Sequence, residues 1–146
     1  MSLEGSSLVD LTAFTQSRNL LGAGFVRILG YFREDGVKSV CAIEAAMRAG
    51  NAAAMVLPAH TLKGEARQFG ATPLADLAEV IEAIARDCVE TRDTPEQAME
   101  HVARLRPLFE QTLALLERDA NPIVERRPAV ALAGGFGRRP GAFGRA

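Results

Sequence analysis

His60, Lys63 and Gly64 stand close together in the stretch AHTLKGEARQFG, which otherwise has the pattern of a helix. An unperturbed imidazole is largely neutral at cellular pH, so a ring nitrogen can accept a phosphoryl group without an activating base. Lys63 is one turn further along, where its ammonium could neutralise the charge of that group. A glycine inside a helix costs about 0.8–1.0 kcal/mol relative to alanine, and close approach by another molecule would explain Gly64. Together these residues suit the transfer of a phosphoryl group between proteins.

The other residues of this helix divide into two faces when they are placed at intervals of about 100°. One face is the predicted core stripe, formed by Met55, Ala59, Leu62, Ala66 and Phe69. His60 points away from this stripe, and we expect its ring to be largely in water. Val56 and Leu57 lie on the histidine's side, where they could contact a partner or be covered by the N-terminal helices. Arg67, two turns along, is a second cation for the phosphoryl group or for acidic groups of a partner.

Each of these features also has an ordinary explanation. An exposed histidine is usually only a solvated side chain, and lysine is a common surface residue. The other histidine, His101, stands beside Glu100 with Arg104 one turn on, and we expect it to be a solvated surface residue. A metal site built from the two histidines, Glu65 and the cysteines is not supported, because no two of them share a ligand-pair spacing on one helical face. From the residues alone, a phospho-acceptor and a plain surface histidine both stay open for His60.

Two helices are predicted ahead of the long ones. Ser7 is placed as the N-cap of the first, with Asp10 at the third helical position, and this helix runs to about Ser17. The second has apolar residues at helical spacing over residues 25–32 and is closed by Gly36. We expect these two helices to lie over one end of the domain.

Four longer helices follow, covering approximately residues 37–50, 51–69, 72–88 and 94–118. Asn51, Thr72 and Thr94 are their predicted N-caps, and Pro107 is expected to kink the last helix. Short connections between long helices favour antiparallel neighbours. The predicted fold class is therefore all-α, an antiparallel up-down four-helix bundle with two additional N-terminal helices, in a domain that spans residues 7–119.

Residues 120–146 are rich in glycine, proline and arginine and show no sustained period, which predicts a flexible or extended C-terminal tail. This tail has five arginines against one glutamate. Clustered cations give affinity for nucleic-acid phosphates, but the rest of the chain is acidic and lacks a basic face. Binding of nucleic acid is therefore expected to be at most a secondary function.

The composition, with 48% hydrophobic and 24% charged residues over 146 positions, is that of an ordinary globular domain. No apolar run approaches the roughly 18 residues that a membrane span needs, so we expect none. The first residues lack the basic and apolar regions of a secretory signal, and we expect a cytoplasmic protein. Cys41 and Cys88 fall in apolar helical patterns, which predicts two small buried side chains rather than a disulfide.

A known family shares the motif around the histidine. The set His60, Leu62, Lys63, Gly64 and Gly70 resembles the signature of the histidine-containing phosphotransfer (HPt) domain of bacterial multistep phosphorelays. That signature is His-x-Leu-Lys-Gly followed by a glycine six residues later. The similarity covers about residues 10–118, including the two helices before the histidine helix.

The resemblance implies a fold, an activity and a class of partner. The fold would be the family's antiparallel four-helix bundle, and His60 would accept a phosphoryl group from an aspartyl phosphate on one receiver domain and pass it to another. The partners would be receiver domains of response regulators or hybrid histidine kinases. The receiver would supply the magnesium ion and most of the catalytic apparatus, so this chain would need no cofactor, bind no ATP and act as a phosphocarrier rather than an enzyme.

Three residues depart from the family's usual pattern. Glu65 follows the motif glycine where a small or hydroxylated residue is common, and Arg67 stands where many members have something smaller. Because Arg67 lies almost directly below His60 on the helix, we hypothesise that it narrows the set of receivers accepted. Pro58 deprives Ala54 of its usual helical hydrogen bond and can bend the helix.

Two other functions compete with phosphotransfer. A non-catalytic helical adaptor would bind a receiver or another signalling protein without being phosphorylated, and it would tolerate His60→Gln, whereas a relay protein would not. A dimeric phosphotransferase derived from a kinase would build its bundle from two chains. Since one chain already supplies four long helices, we expect a monomer.

Overall fold

The computed structural model describes residues 8–22 and 24–120. Its elements, in chain order, are α1 Leu11–Leu21, α2 Gly24–Ala49, α3 Ala52–Gln68, α4 Thr72–Thr91, a 3₁₀ turn Glu96–Ala98 and α5 Met99–Ala120. No strand occurs among the described residues, so the predicted all-α class is confirmed. Nor is any helix in these two ranges long and apolar enough to cross a membrane. The chain divides after Leu116 into two units, and α1 to α4 lie in the first.

Helix α2 is continuous from Gly24 to Ala49, so the prediction of two helices separated at Gly36 was wrong. Gly36 is buried in the middle of α2, where a Cβ atom would overlap the ring of Phe109 on α5. The glycine allows α2 and α5 to pack closely. In the sequence, a glycine needed for close packing cannot be told apart from a glycine that ends a helix.

Helix α1 begins later than the sequence predicts, because Asp10 and not Ser7 is its N-cap. The Asp10 carboxylate accepts hydrogen bonds from the backbone N–H groups of Thr12 and Ala13, at 3.0 and 3.2 Å. The helix ends at Leu21, beyond the predicted end near Ser17. Ser7 itself lies outside the described residues, as does the predicted tail beyond position 120, and the boundary at 119 stays a prediction.

Gly70 ends the turn after α3 and brings α1 close to it. Its φ is +72°, a left-handed conformation that favours glycine. Its carbonyl oxygen accepts a hydrogen bond of 2.6 Å from the backbone N–H of Asp10, and an added Cβ atom would lie 2.9 Å from the carbonyl oxygen of Asp10. The motif glycine at position 70 therefore has a packing role inside the chain.

The boundaries of the later helices agree only in part with the predicted caps. Asn51 is the N-cap of α3, and its side chain accepts a hydrogen bond of 3.1 Å from the Ala54 N–H, as predicted. Thr72 is instead the first residue of α4, whose N-cap, Ala71, makes no side-chain bond. Thr94 bonds the side chain of Glu96 in the 3₁₀ turn, so it does not cap α5.

An aromatic cluster forms much of the core and joins α1, α2 and α5 to the end of α3. Neighbouring rings contact each other with centroids 5.1–5.7 Å apart, in the order Phe14, Phe25, Phe69, Phe32 and Phe109. The predicted core stripe of α3 is fully buried. Because the stripe faces the core, the opposite side of α3 must face outward.

The two cysteines have different surroundings. Cys88 on α4 is buried, as predicted, whereas Cys41 on α2 is exposed and its predicted burial was wrong. Cys41 lies one position, about 100°, beyond the buried Val40, which places it at the rim of the interface with α5. There an N–H group of Arg106 points at its sulfur from 3.4 Å. Both thiols are free.

Candidate functional site

His60 lies on the outward side of α3, and 55% of its side chain is exposed. The predicted exposure is thus confirmed. Its Nδ1 lies 2.9 Å from Oε2 of Glu82 on α4. Within the described part of the chain, Nε2 has no hydrogen-bond partner. One ring nitrogen is therefore held by the protein and the other is available to another molecule.

The Glu82 carboxylate is buried and is surrounded by donors from both helices. Its Oε1 lies 2.9 Å from Nζ of Lys63, and its Oε2 accepts a hydrogen bond of 2.9 Å from Nε of Arg86 and lies 2.8 Å from Nη2 of the same guanidinium. Burial acts to raise the pKa of this carboxyl, but the contacts with Lys63, Arg86 and His60 outweigh burial and lower the pKa to about 2. Glu82 is therefore a carboxylate at neutral pH.

The charge of Glu82 decides which nitrogen of the His60 ring carries the proton. A carboxylate can only accept hydrogen bonds, so Nδ1 must be the donor across the 2.9 Å contact. In the neutral ring Nε2 then has a free lone pair. This tautomer presents a nucleophilic nitrogen on the exposed side of α3.

Glu82 is the site residue that the sequence analysis missed. It is 22 residues from His60, so no periodicity within one helix could relate the two. A signal was nevertheless present, because Glu82 lies between Ala78 and Ala85 on the apolar stripe of α4. A buried acid is seldom tolerated without a cationic partner, so its position in the stripe pointed to a charged neighbour.

Lys63 and Arg67 are both on the histidine's side of α3, but they contact different acids. Lys63 is half-buried and shares the Glu82 carboxylate with His60. Arg67 is paired with Glu79 at 2.6 Å and lies 3.7 Å from Asp76, both on α4. The edge between α3 and α4 thus carries a row of cross-helix ion pairs, and His60 contacts the carboxylate of one of them.

Of the predicted partner-binding residues, Leu57 and Gly64 are the most open. The Leu57 side chain is 70% exposed, so the described N-terminal residues do not cover it, and Val56 is half-buried. An added Cβ atom at Gly64 would meet nothing within 4 Å. Nothing in the described part of the chain therefore requires a glycine at position 64.

Glu65 and Pro58, which depart from the resembled pattern, lie elsewhere on α3. Glu65 is half-buried, and its Oε1 is enclosed without a hydrogen-bond partner among residues 8–22 and 24–120. Burial, and secondly the charge of Asp35, raise the pKa of the Glu65 carboxyl. Glu65 is therefore not a fully solvated charge. Helix α3 continues through Pro58.

His101 differs from its prediction as a solvated residue. It lies on α5 and is half-buried, and its Nδ1 is enclosed without a partner in the described ranges. The ring thus lacks the arrangement seen at His60, where a carboxylate holds Nδ1.

Comparison with known proteins gives one clear similarity. The model of the family described as the Hpt domain matches residues 27–119, which is more than half of the chain. The comparisons with curated proteins and with solved structures gave no match. The matched range contains His60, its contact with Glu82, and the contacts of Lys63 and Arg86 with the same Glu82 carboxylate.

Proposed function

Because the chain belongs to the Hpt domain family, we propose that His60 accepts a phosphoryl group from the aspartyl phosphate of one receiver domain and passes it to the aspartate of another. Members of this family are phosphocarrier modules of phosphorelays, interact with receiver domains and have no kinase activity. The observation that carries the proposal is the exposed imidazole whose Nδ1 is held 2.9 Å from the buried Glu82 carboxylate.

The chemistry follows from the tautomer of His60. The Nε2 lone pair attacks phosphorus, the Nε2–P bond forms, and the P–O bond to the donor aspartate breaks, releasing its carboxylate. Nδ1 keeps its proton, so the phosphorylated ring carries a positive charge, which the Glu82 carboxylate stabilises from 2.9 Å. In the second transfer the acceptor aspartate attacks phosphorus, the N–P bond breaks, and the ring leaves as a neutral imidazole.

Lys63 supplies positive charge next to this reaction. With Arg86 it places two cations against the single carboxylate of Glu82, so the site has an excess of positive charge when the imidazole is neutral. A phosphoryl group brings a charge of about −1.5 to −2 at neutral pH. In the proposal, Lys63 turns from Glu82 to the phosphoryl oxygens as the group arrives.

The partner-binding residues follow from the open side of α3. Leu57 and Val56 provide apolar contact, and the open space at Gly64 admits the partner's phosphate-bearing loop close to the backbone. Arg67 is held by Glu79 and Asp76, and in the proposal it exchanges these acids for acidic groups of the receiver, which narrows the set of receivers accepted.

The remaining features of the proposal concern the whole chain. Helices α2 to α5 form an antiparallel up-down four-helix bundle, with α1 as the additional helix at one end, a proposal supported by the short connections between successive helices. The protein acts as a cytoplasmic monomer. It needs no cofactor of its own, and the magnesium ion belongs to the receiver domain.

The proposal is tested by incubating the protein with purified receiver domains that carry aspartyl phosphate. We expect an acid-labile, alkali-stable label on the chain that is lost in His60→Gln and kept in the control His101→Gln. If both variants bind a receiver but the unaltered protein gains no label, the protein is the non-catalytic adaptor instead. A label that survives in His60→Gln would contradict the assignment of the acceptor.

A further inference from the structure

A groove of about 400 Å³ lies between α3 and α4, next to the His60 site. Its lining residues are Ala53, Val56, Arg86, Val89 and Glu90. Three of these are apolar, and 44% of Val89 is exposed although it is a large hydrophobic residue. The groove therefore offers a small apolar surface with one cation and one acid at its edge.

Arg86 connects this groove to the histidine. It lines the groove, its Nε donates a hydrogen bond of 2.9 Å to Oε2 of Glu82, and its Nη2 lies 2.8 Å from the same oxygen. The same oxygen faces Nδ1 of His60. His60 and Arg86 thus donate to the same carboxylate oxygen, and the hydrogen bond from either one is weaker because of the other. Because more than half of the Arg86 side chain is exposed, it can leave Glu82 without disturbing the core.

The charges around the groove indicate what would occupy it. Lys63 and Arg86 balance the charges of Glu82 and Glu90, and Arg86 is the cation among the lining residues. An apolar side chain beside a carboxylate fits this surface, with the apolar group against Val56 and Val89 and the carboxylate against Arg86. A receiver domain that reaches Nε2 of His60 must lie over this edge of α3 and α4.

We infer that Arg86 is a positioning residue through which the docking of a receiver domain in this groove prepares His60 for phosphotransfer. This inference rests on the proposed function. The receiver's carboxylate draws Arg86 away from Glu82, and Oε2 is left to the Nδ1–H group of His60. The hydrogen bond from Nδ1–H to Oε2 becomes stronger, which makes the Nε2 lone pair a better nucleophile toward phosphorus. The acceptor is thereby at its most reactive when a partner is in place.

Two phosphoryl donors are used to distinguish an effect on receiver docking from an effect on the transfer reaction. Phosphoramidate is small, does not need the groove, and phosphorylates an imidazole nitrogen by forming an N–P bond while its own P–N bond breaks and ammonia leaves. The second donor is a purified receiver domain loaded with acetyl phosphate and chosen because it labels His60 of the unaltered protein. If phosphoramidate and every receiver domain tested fail to label His60 of the unaltered protein, the proposed function fails and the inference fails with it.

Val89→Asp tests the groove, and Val80→Asp is its matched control. Both valines are exposed on α4, at 44% and 39%, but nine positions of about 100° put them on opposite sides of the helix. We expect Val89→Asp to raise the KM for the receiver at least tenfold without changing labelling by phosphoramidate, whereas Val80→Asp changes neither. Equal effects of the two variants on the receiver's KM would overturn the groove as the docking site and leave the proposed function intact.

Arg86→Gln tests the link between the groove and the ring. We expect the receiver's KM to rise severalfold, labelling by phosphoramidate to increase about twofold, and the NMR signal of the Nδ1–H proton of His60 to move downfield, as a stronger hydrogen bond to Oε2 requires. Arg86→Lys keeps the charge and should bring the receiver's KM part of the way back to the value of the unaltered protein. If Arg86→Gln lowers labelling by both donors equally and leaves the Nδ1–H signal unchanged, Arg86 is only structural and the inference is wrong.

Discussion

Gly36 on α2 and Gly64 on α3 are both glycines in the interior of a helix, but only one of them is explained by the chain's own packing. Gly36 is buried, and a side chain there would overlap the ring of Phe109. Around Gly64 nothing lies within 4 Å of the place where a Cβ atom would stand. Each glycine costs about 0.8–1.0 kcal/mol of helix stability relative to alanine. The first glycine serves the core, whereas the second faces open space on the helix that carries His60, where the proposal places a partner.

Buried polar groups in the two regions show the same contrast. Thr112 lies on the core side of α5, and its hydroxyl donates a hydrogen bond of 2.7 Å to the carbonyl oxygen of Leu108 in the same helix. Glu82 is instead held by groups from two helices, and one of them is the exposed ring of His60; its Oε1 has an ionic contact with Lys63 but no hydrogen-bond partner within residues 8–22 and 24–120. A buried carboxylate needs such partners, but it does not need one that faces solvent. This arrangement distinguishes a site from a core.

Glu82→Gln should have the largest effect of these changes, and the effect should be on phosphotransfer at His60 and not on the packing of the core. Glutamine can still accept a hydrogen bond from Nδ1, but it cannot stabilise the positive charge of the phosphorylated ring. We expect the rate constant of transfer from a saturating receiver to fall roughly 100-fold, with little change in KM. Single-turnover labelling measures both quantities. A variant that transfers at the unaltered rate would remove Glu82 from the mechanism.

Gly36→Ala should destabilise the core and spare the site. The new methyl group overlaps the buried Phe109 ring, and overpacking of this kind costs about 1–3 kcal/mol. Urea unfolding should show a lower midpoint, while the transfer rate of the folded protein stays unchanged. If the free energy of unfolding rises instead, α2 and α5 are not packed as closely as the overlap requires.

Acid should lower the free energy of unfolding through protonation of Glu82. Its pKa is lowered from an ordinary 4.5 to about 2, so the carboxylate stabilises the fold above pH 4.5 and this contribution is lost as the pH falls toward 2. Between these values the free energy of unfolding should fall more steeply for the unaltered protein than for Glu82→Gln. Parallel curves for the two proteins over this window would contradict the paired state of the carboxylate.

Gly64→Ala should have the smallest effect on stability, and of the opposite sign to Gly36→Ala. The methyl group enters open space and improves helix propensity, so unfolding should require about 0.8–1.0 kcal/mol more. Transfer from a receiver should nevertheless slow about tenfold because the partner is held away, while labelling by phosphoramidate is unchanged. Transfer that is as fast as in the unaltered protein would mean that the glycine does not serve a partner.

Features within a single helix could be predicted from the sequence better than contacts between two helices. The buried stripe of α3 and the exposure of His60 follow from a period of 3.6 residues, and Asn51 caps α3 as its residue type suggests. The pairing of His60 with Glu82 could not be predicted in this way, because it depends on how α3 and α4 are placed side by side. Gly36 was misinterpreted for the same reason, since its partner Phe109 is on another helix.

The most direct test of the account is to find which atom of His60 carries the phosphoryl group. The protein is labelled with ¹⁵N-histidine, phosphorylated by a receiver domain and examined by ³¹P and ¹⁵N NMR at alkaline pH. Since Glu82 holds Nδ1, we predict that phosphorus is coupled to Nε2 of His60. Coupling to Nδ1, or a phosphoryl group on any other residue, would contradict the role assigned to the carboxylate and to the exposed ring.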